Sequence, residues 1–156
     1  MRRGRHGGGG GCGRGRETGK SANKVGGAAA GSADDAGCGA DVGVVATAAT
    51  APVRKGRWLA AGAHINAVGA TRPNWRELDD DALRKARIYV ESREAASKES
   101  GDVIAAGQIF AELGEVIAGS KPGRESSDEI TLYKSVGVAV EDVVAADLVY
   151  RRAISP

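Results

Sequence analysis

Apolar positions change character along the chain. Residues 1–36 show no apolar periodicity, only scattered Ala and one Val among Gly, Arg and Ser. From Ala40 the pattern tightens. Val42, Val44 and Val45 lead to Thr47 as a short buried strand, which Pro52 separates from the next apolar anchor, Trp58-Leu59. Residues 62–69, GAHINAVG, form a second, uncharged strand flanked by glycines, which suits the centre of a parallel sheet. Arg87–Glu91 and Glu129–Tyr133 read as the third and fourth strands.

Helical spacing fills the intervals. Asp79 caps a helix running through Ala86, with Leu78 and Leu83 placed as a hydrophobic staple. Ser92 caps a second helix to about Glu99, which Ser100 and Gly101 close. Ile109, Leu113, Val116 and Ile117 predict a helix over 109–117, and Gly119, Pro122 and Gly123 mark a loop. A long helix follows from about Gly137 to Ala153, with Val136, Val140, Val144 and Leu148 at i, i+4. Its acids Glu141 and Asp142 lie near the start and Arg151 and Arg152 near the end, the order that the helix dipole favours. Strands alternating with short helices indicate an α/β sheet. The fold class expected is the carboxyl-terminal portion of a Rossmann-type doubly wound parallel sheet over residues 40–153, with a disordered Gly/Arg-rich leader over 1–36.

Composition divides the chain at the same place. Of 24 glycines, 15 lie between Gly4 and Gly43. Residues 1–24 hold five Arg and two Lys against one Glu, a net +6, so the remainder is −4 within a total of +2. The basic balance therefore belongs to the leader and implies no specific nucleic-acid partner for the folded part. Cys12 and Cys38 form no CxxC pair and read as free thiols in a reducing compartment. No apolar run reaches the ~18–20 residues of a membrane span, and the amino terminus lacks a secretory apolar core; a cytoplasmic location is expected.

Two glycine motifs in the leader match only as text. Gly8, Gly10 and Gly13 satisfy GxGxxG, but no strand precedes them to aim backbone N–H groups at a pyrophosphate. Gly19-Lys20-Ser21 resembles the end of a P-loop, with Arg14 where its first glycine belongs. Candidate chemistry lies instead where strands end, since open α/β sheets bind ligands beyond their carboxyl edges. His64 and Asn66 share one side of the second strand, read as near its carboxyl end, either as hydrogen-bonded core groups or as walls of a crevice. Val68, Gly69, Ala70, Thr71 and Arg72 follow that strand. Arg72 is either a surface arginine or a forked clamp for a substrate carboxylate. Ser135 and Gly137 open the last helix, as a cap or as a contact for cofactor phosphate or amide. Glu99 and Asp102 flank Gly101 at a helix end. The acidic run Asp79, Asp80, Asp81 reads as a helix start, and no metal site is expected.

Four segments carry a resemblance: GAHINAVGATRPNWRELDDDAL, ESREAASKESGD, IFAELGEVIAG and KSVGVAVEDVVAADLVY. In this order they are similar to the ornithine cyclodeaminase/mu-crystallin family, from about Ala40 to Ala153. Cyclodeaminases and alanine dehydrogenases of that family carry a catalytic aspartate where this chain has Thr71. The resemblance therefore implies the mu-crystallin branch and its NADPH- or NADH-dependent reduction of cyclic ketimine carboxylates. It further implies cofactor contacts at Thr47, Ala48, Val68 and Ser135, and substrate contacts at Thr71, Arg72 and Glu99. The partner is a cyclic ketimine or, alternatively, an iodothyronine whose binding NADPH regulates; no residue is assigned as proton donor. Family members are homodimers with a further amino-terminal substrate and dimerisation domain and a glycine loop, which residues 1–36 do not match. A half-sheet without them is expected to expose a strand edge, to bind dinucleotide weakly and to lack reductase activity.

Overall fold

A computed structural model describes residues 10–11 and 28–154. The two glycine motifs fall largely outside these residues, as does most of the expected leader. Within the leader, β1 (Gly10–Gly11) pairs in parallel with β2 (Ala28–Ala29), and Ser32 caps a short helix, α1 (Ala33–Gly37), by accepting the Asp35 N–H at 3.1 Å. The boundary expected at residue 36 thus falls inside a helix.

Five parallel strands make the main sheet: β3 (Val42–Val45), β4 (His64–Ala67), β5 (Arg87–Val90), β6 (Ala111–Glu112) and β7 (Thr131–Lys134). Their spatial order is β3-β4-β7-β5-β6. The α/β class read from the sequence is the observed one, and the uncharged GAHINAVG segment is indeed an inner strand. β7, last in sequence, lies between β4 and β5, so the connection from β4 to β5 passes over it.

Register explains which face is covered. Val45, Ile65, Ala67, Ile88, Val90 and Leu132 form one apolar core with Leu78, Leu83, Ala86, Ala96 and Val103. The last five belong to or flank α2 (Asp80–Lys85), α3 (Arg93–Glu99) and α4 (Gly101–Ala106). The opposite face carries the rows Val42–His64–Thr131–Arg87 and Val44–Asn66–Tyr133–Tyr89. It is more open: Val42 is 62% and Val44 69% exposed at the β3 edge.

Local capping follows the sequence closely at α2 and α3. The Asp79 carboxylate accepts the Ala82 N–H at 2.9 Å, and Leu78 and Leu83 are both buried as the staple requires. Asp80 pairs with Arg76 and Asp81 with Lys85, so the acidic run is structural. The Ser92 hydroxyl caps α3.

Ser100 closes α3 after Glu99, as expected: its N–H donates to the Ala96 carbonyl at 3.1 Å, and its hydroxyl accepts the Val103 N–H to start α4. Gly101 is required there because a side chain would meet the Pro73 and Trp75 carbonyls. Two expectations need correction. Residues 109–117 are not one helix. Phe110 N–H donates to the Ile88 carbonyl at 2.8 Å, β6 joins the sheet, and only α5 (Leu113–Ile117) is helical. The otherwise free edge of β5 outweighs the i, i+4 pattern, since Leu113 and Ile117 gain little burial as a helix. Finally, the last helix, α6 (Ala139–Ile154), begins beyond Gly137 and buries none of its side chains.

A helix of this length that buries none of its side chains is marginal in water. Amide exchange in α6 is therefore expected to approach that of unstructured peptide, while the Ile65 and Leu132 amides exchange only through global opening. Equal protection of α6 and β4 by mass spectrometry would contradict this. Among the described residues, no helix is long and apolar enough to cross a membrane.

Candidate functional site

The carboxyl ends of β3, β4 and β7 are neighbours, so the residues after them converge. Ala70 N–H donates to the Thr47 carbonyl at 3.1 Å, and Ser135 N–H donates to the Ala67 carbonyl at 3.0 Å. These bonds bring Thr47 and Ala48, the segment from Val68 to Arg72, and Ser135 to one edge of the sheet. Thr47, Ala48, Val68, Thr71 and Arg72 are all exposed there. Glu99 is exposed at the end of α3, two residues before Gly101, whose N–H donates to the Arg72 carbonyl at 3.1 Å. The fold thus gathers the expected residues along one edge, with Glu99 at its margin.

His64 is not near the carboxyl end. It opens β4, and its Nδ1 lies 2.8 Å from the Thr131 hydroxyl, the hydrogen-bonded alternative. Ser135 does not open the last helix either. Its hydroxyl donates to Glu91 Oε1 at 2.9 Å, and the same oxygen accepts Val136 N–H and Gly137 N–H, each at 2.7 Å. The turn after β7 therefore spends its N–H groups on Glu91 rather than offering them to a phosphate. The second Glu91 oxygen is buried without a hydrogen-bond partner among the described residues.

Beneath the edge lies a buried polar cluster that sequence reading missed. Glu77, Asp102 and Lys134 are each at most 1% exposed, and the Lys134 ammonium stands 4.0 Å from a carboxylate oxygen of each acid. Glu77 Oε1 accepts the Thr47 N–H and, at 2.7 Å, the Thr47 hydroxyl; Oε2 accepts the Gly69 N–H at 3.0 Å. Lys134 Nζ donates to the Gly69 carbonyl. Asp102 Oδ1 accepts the N–H groups of Glu77 and Leu78, each at 3.1 Å. Burial pushes the Asp102 carboxyl up, against the two backbone bonds and Lys134, which favour its charged form. Burial also pushes the Lys134 ammonium down, opposed by Asp102, Glu77 and Glu91.

This cluster fixes the path of the chain after β4. A side chain on Gly69 would collide with the Thr47 backbone and the Glu77 carboxylate, so only glycine fits. Ala70 then takes φ 49°, a left-handed conformation that costs an alanine about 1 kcal/mol. The strained residue directly precedes Thr71 and Arg72. Arg72 lies with its guanidinium carbon 4.7 Å from the Trp75 ring centroid and has no ion pair among the described residues. A flat, stacked guanidinium with free donors is suited to a planar carboxylate.

The strand-end edge exposes both apolar and backbone surface. Val68 offers an apolar surface, 41% exposed, beside the exposed backbone of Thr47 and Ala48. The hydroxyls of Thr47 and Ser135 already donate to Glu77 and Glu91, so they meet a ligand as acceptors or by shape. No glycine-rich strand-to-helix turn for a pyrophosphate is present among the described residues.

The chain is 59% identical over 120 residues to the ketimine reductase mu-crystallin of Mus musculus, covering 76% of this chain and 38% of that protein. It is 46% identical over 124 residues to a Delta(1)-pyrroline-2-carboxylate reductase of Bacillus cereus, covering 74% and 38%. The solved Delta(1)-pyrroline-2-carboxylate reductase of Thermococcus litoralis, in complex with NADH and L-proline, superposes with a TM-score of 0.80 at 42% identity. That superposition covers 88% of this chain and 46% of the solved one. The chain thus spans less than half the length of these relatives. The sequence profile of the Ornithine cyclodeaminase/mu-crystallin family matches residues 16–156, beginning earlier than the resemblance at Ala40. With the family's profile matching most of its length, the chain belongs to the ornithine cyclodeaminase/mu-crystallin family.

Proposed function

We propose that this chain carries the nicotinamide and carboxylate-binding edge of an NAD(P)H-dependent reductase acting on the C=N bond of a small cyclic imino carboxylate. The observation that carries this reading is Arg72, a guanidinium without an ion pair among the described residues, held against Trp75 at the end of β4, next to the strained Ala70. Its fork binds the substrate carboxylate through two parallel hydrogen bonds and so orients the ring. Thr71, beside it, supplies a hydroxyl for positioning. Thr47, Ala48, Val68 and Ser135 form the surface on which the nicotinamide end of the cofactor rests. When bound, the cofactor supplies the hydride. Thr71 is not ionisable in the physiological range, which argues against the aspartate-dependent deamination of other branches of the family.

NADH titration followed by amide chemical shifts tests the cofactor part. Saturable shifts at Thr47, Val68 and Ser135 are expected; their absence with both NADH and NADPH sinks the reading. With Delta(1)-pyrroline-2-carboxylate as ligand, Arg72→Ala is expected to weaken its binding, followed by the same amide shifts, by roughly 10- to 150-fold. That range corresponds to ~1.5–3 kcal/mol for hydrogen bonds to a charged group. Unchanged binding would remove Arg72 from the site.

A further inference from the structure

Glu77 is fully buried and lies outside every element that contacts solvent at the crevice, yet its carboxylate reaches two of the loops that form it. Its position is fixed on the backbone side. The Glu77 carbonyl accepts the N–H groups of Val53 and Arg54 at 2.9 and 2.8 Å, and its own N–H donates to Asp102. The side chain is thereby a short rigid strut rather than a free acid. One oxygen takes both donors of Thr47, beyond β3, and the other takes the N–H of Gly69, beyond β4.

Backbone bonds link the two strand ends on either side of Gly69: Val68 N–H donates to the Val45 carbonyl at 2.8 Å and Ala70 N–H to the Thr47 carbonyl at 3.1 Å, while the Gly69 N–H itself lies 3.4 Å from the Val45 carbonyl, a long bond. The carboxylate sits between the strand ends and ties both. Lys134, from β7 on the other side of β4, holds the carbonyl of the same Gly69. The Gly69 residue is thus held at its N–H by Glu77 and at its carbonyl by Lys134, immediately before the strained Ala70 and the Thr71–Arg72 pair.

We infer that Glu77 is a positioning residue: its carboxylate sets the separation between the Thr47 loop and the Gly69–Arg72 loop, and so the spacing between nicotinamide and substrate carboxylate. The consequence for ligands rests on the function proposed above; the tie between the loops does not. Glu77→Gln is the direct test, because an amide keeps one acceptor but turns a second donor toward Gly69 N–H or Thr47 N–H. Ile88→Val, which trims the core away from the crevice, serves as the control for general loosening.

In the ligand-free chain, Glu77→Gln is expected to speed amide exchange at Thr47, Gly69 and Ala70 by at least about tenfold relative to Ile65, a local opening that Ile88→Val does not produce. Exchange at these amides that tracks Ile65 in both variants overturns the inference. NADH binding, measured where all variants are folded, is expected to weaken by about tenfold or more in Glu77→Gln and to stay unchanged in Ile88→Val. Equal NADH affinity in the two variants also overturns it. If wild-type chain binds neither NADH nor NADPH, the functional reading fails, and the exchange comparison alone decides the role of Glu77. Should Glu77→Gln not fold, Thr47→Val removes the hydroxyl donor to Glu77, and with it the acceptor for the Ala49 N–H on the solvent side. Faster exchange at Thr47 and Ala70 than in the wild type then supports the strut, and unchanged exchange overturns it.

Discussion

Replacing Arg54 with methionine is expected to stabilise the chain. Arg54 is 6% exposed, and its Nε and Nη2 atoms are buried without hydrogen-bond partners among the described residues. It has no ion pair among them either. Burial holds the guanidinium below its usual pKa, with the nearby Cys38 thiol acting in the opposite sense, yet an arginine stays charged throughout the physiological range. A buried charge without a partner carries its desolvation cost uncompensated. What Arg54 recovers is a cation–π contact with Trp58 at 6.0 Å, a contact of about 0.5–1 kcal/mol. Methionine keeps the length of the side chain and its packing beside Gly37, Gly43 and Trp58 while removing the charge. The net gain is expected to be about 1–3 kcal/mol by analogy with buried ionic groups replaced by apolar ones. At roughly 2–4 °C per kcal/mol for a chain of this size, the change is readily seen in a thermal melt. A lower Tm for Arg54→Met would show that the guanidinium is compensated after all.

The opposite result is expected for Lys134→Met. Lys134 is the one cation within 4.0 Å of both buried acids, Glu77 and Asp102, among the described residues. Removing it leaves two carboxylates in the core, a change that costs about 3–5 kcal/mol for one broken buried pair. Urea unfolding at neutral pH should show a loss of that order, and a loss under about 1 kcal/mol would mean that the cluster is solvated. The deficit should also depend on pH, with a definite sign. Asp102 has its folded pKa raised by burial, and Lys134 is one of the groups holding it down, so the variant raises it further. A carboxyl whose folded pKa exceeds its unfolded value contributes stability below the unfolded value, ~3.9 for Asp, and loses it as pH rises through the folded value. The deficit of Lys134→Met is therefore expected to grow as pH rises above the unfolded value of about 4. A pH-independent deficit would place its origin in packing rather than charge.

Arg54 and Glu77, a partner of Lys134, look unremarkable in sequence. Arg54 follows Pro52-Val53 in a loop, and nothing nearby in sequence announces burial. It is enclosed because Gly37 and Gly43, without side chains, leave room for the guanidinium against Trp58. Glu77 sits between Arg76 and the buried Leu78, two residues before an acidic helix start, and local pattern does not separate it from Asp79, Asp80 and Asp81. Its partners are 30 residues earlier and 8 residues earlier in sequence. Glu91, at the end of β5, carried one usable signal: an acid directly beyond a strand, where crevice residues are sought.

By itself, the sequence determined the elements whose causes are local. Asp79 and Ser92 cap their helices because a cap needs only a hydroxyl or carboxylate and an N–H three residues on. The β4 segment lies inside the sheet because it is uncharged and flanked by glycines. The edge on which Thr47, Val68, Arg72 and Ser135 meet was also legible, since strand ends in a parallel sheet point the same way. Tertiary structure alone decided the rest. Residues 111–112 became strand because the edge of β5 required hydrogen bonds, a demand invisible to helical spacing. The apolar stripe of α6 does not make it a core helix, because burial depends on what lies opposite and not on the stripe. Glu77, Asp102 and Lys134 became a cluster because their charges can share a desolvated volume only where three distant segments of chain converge.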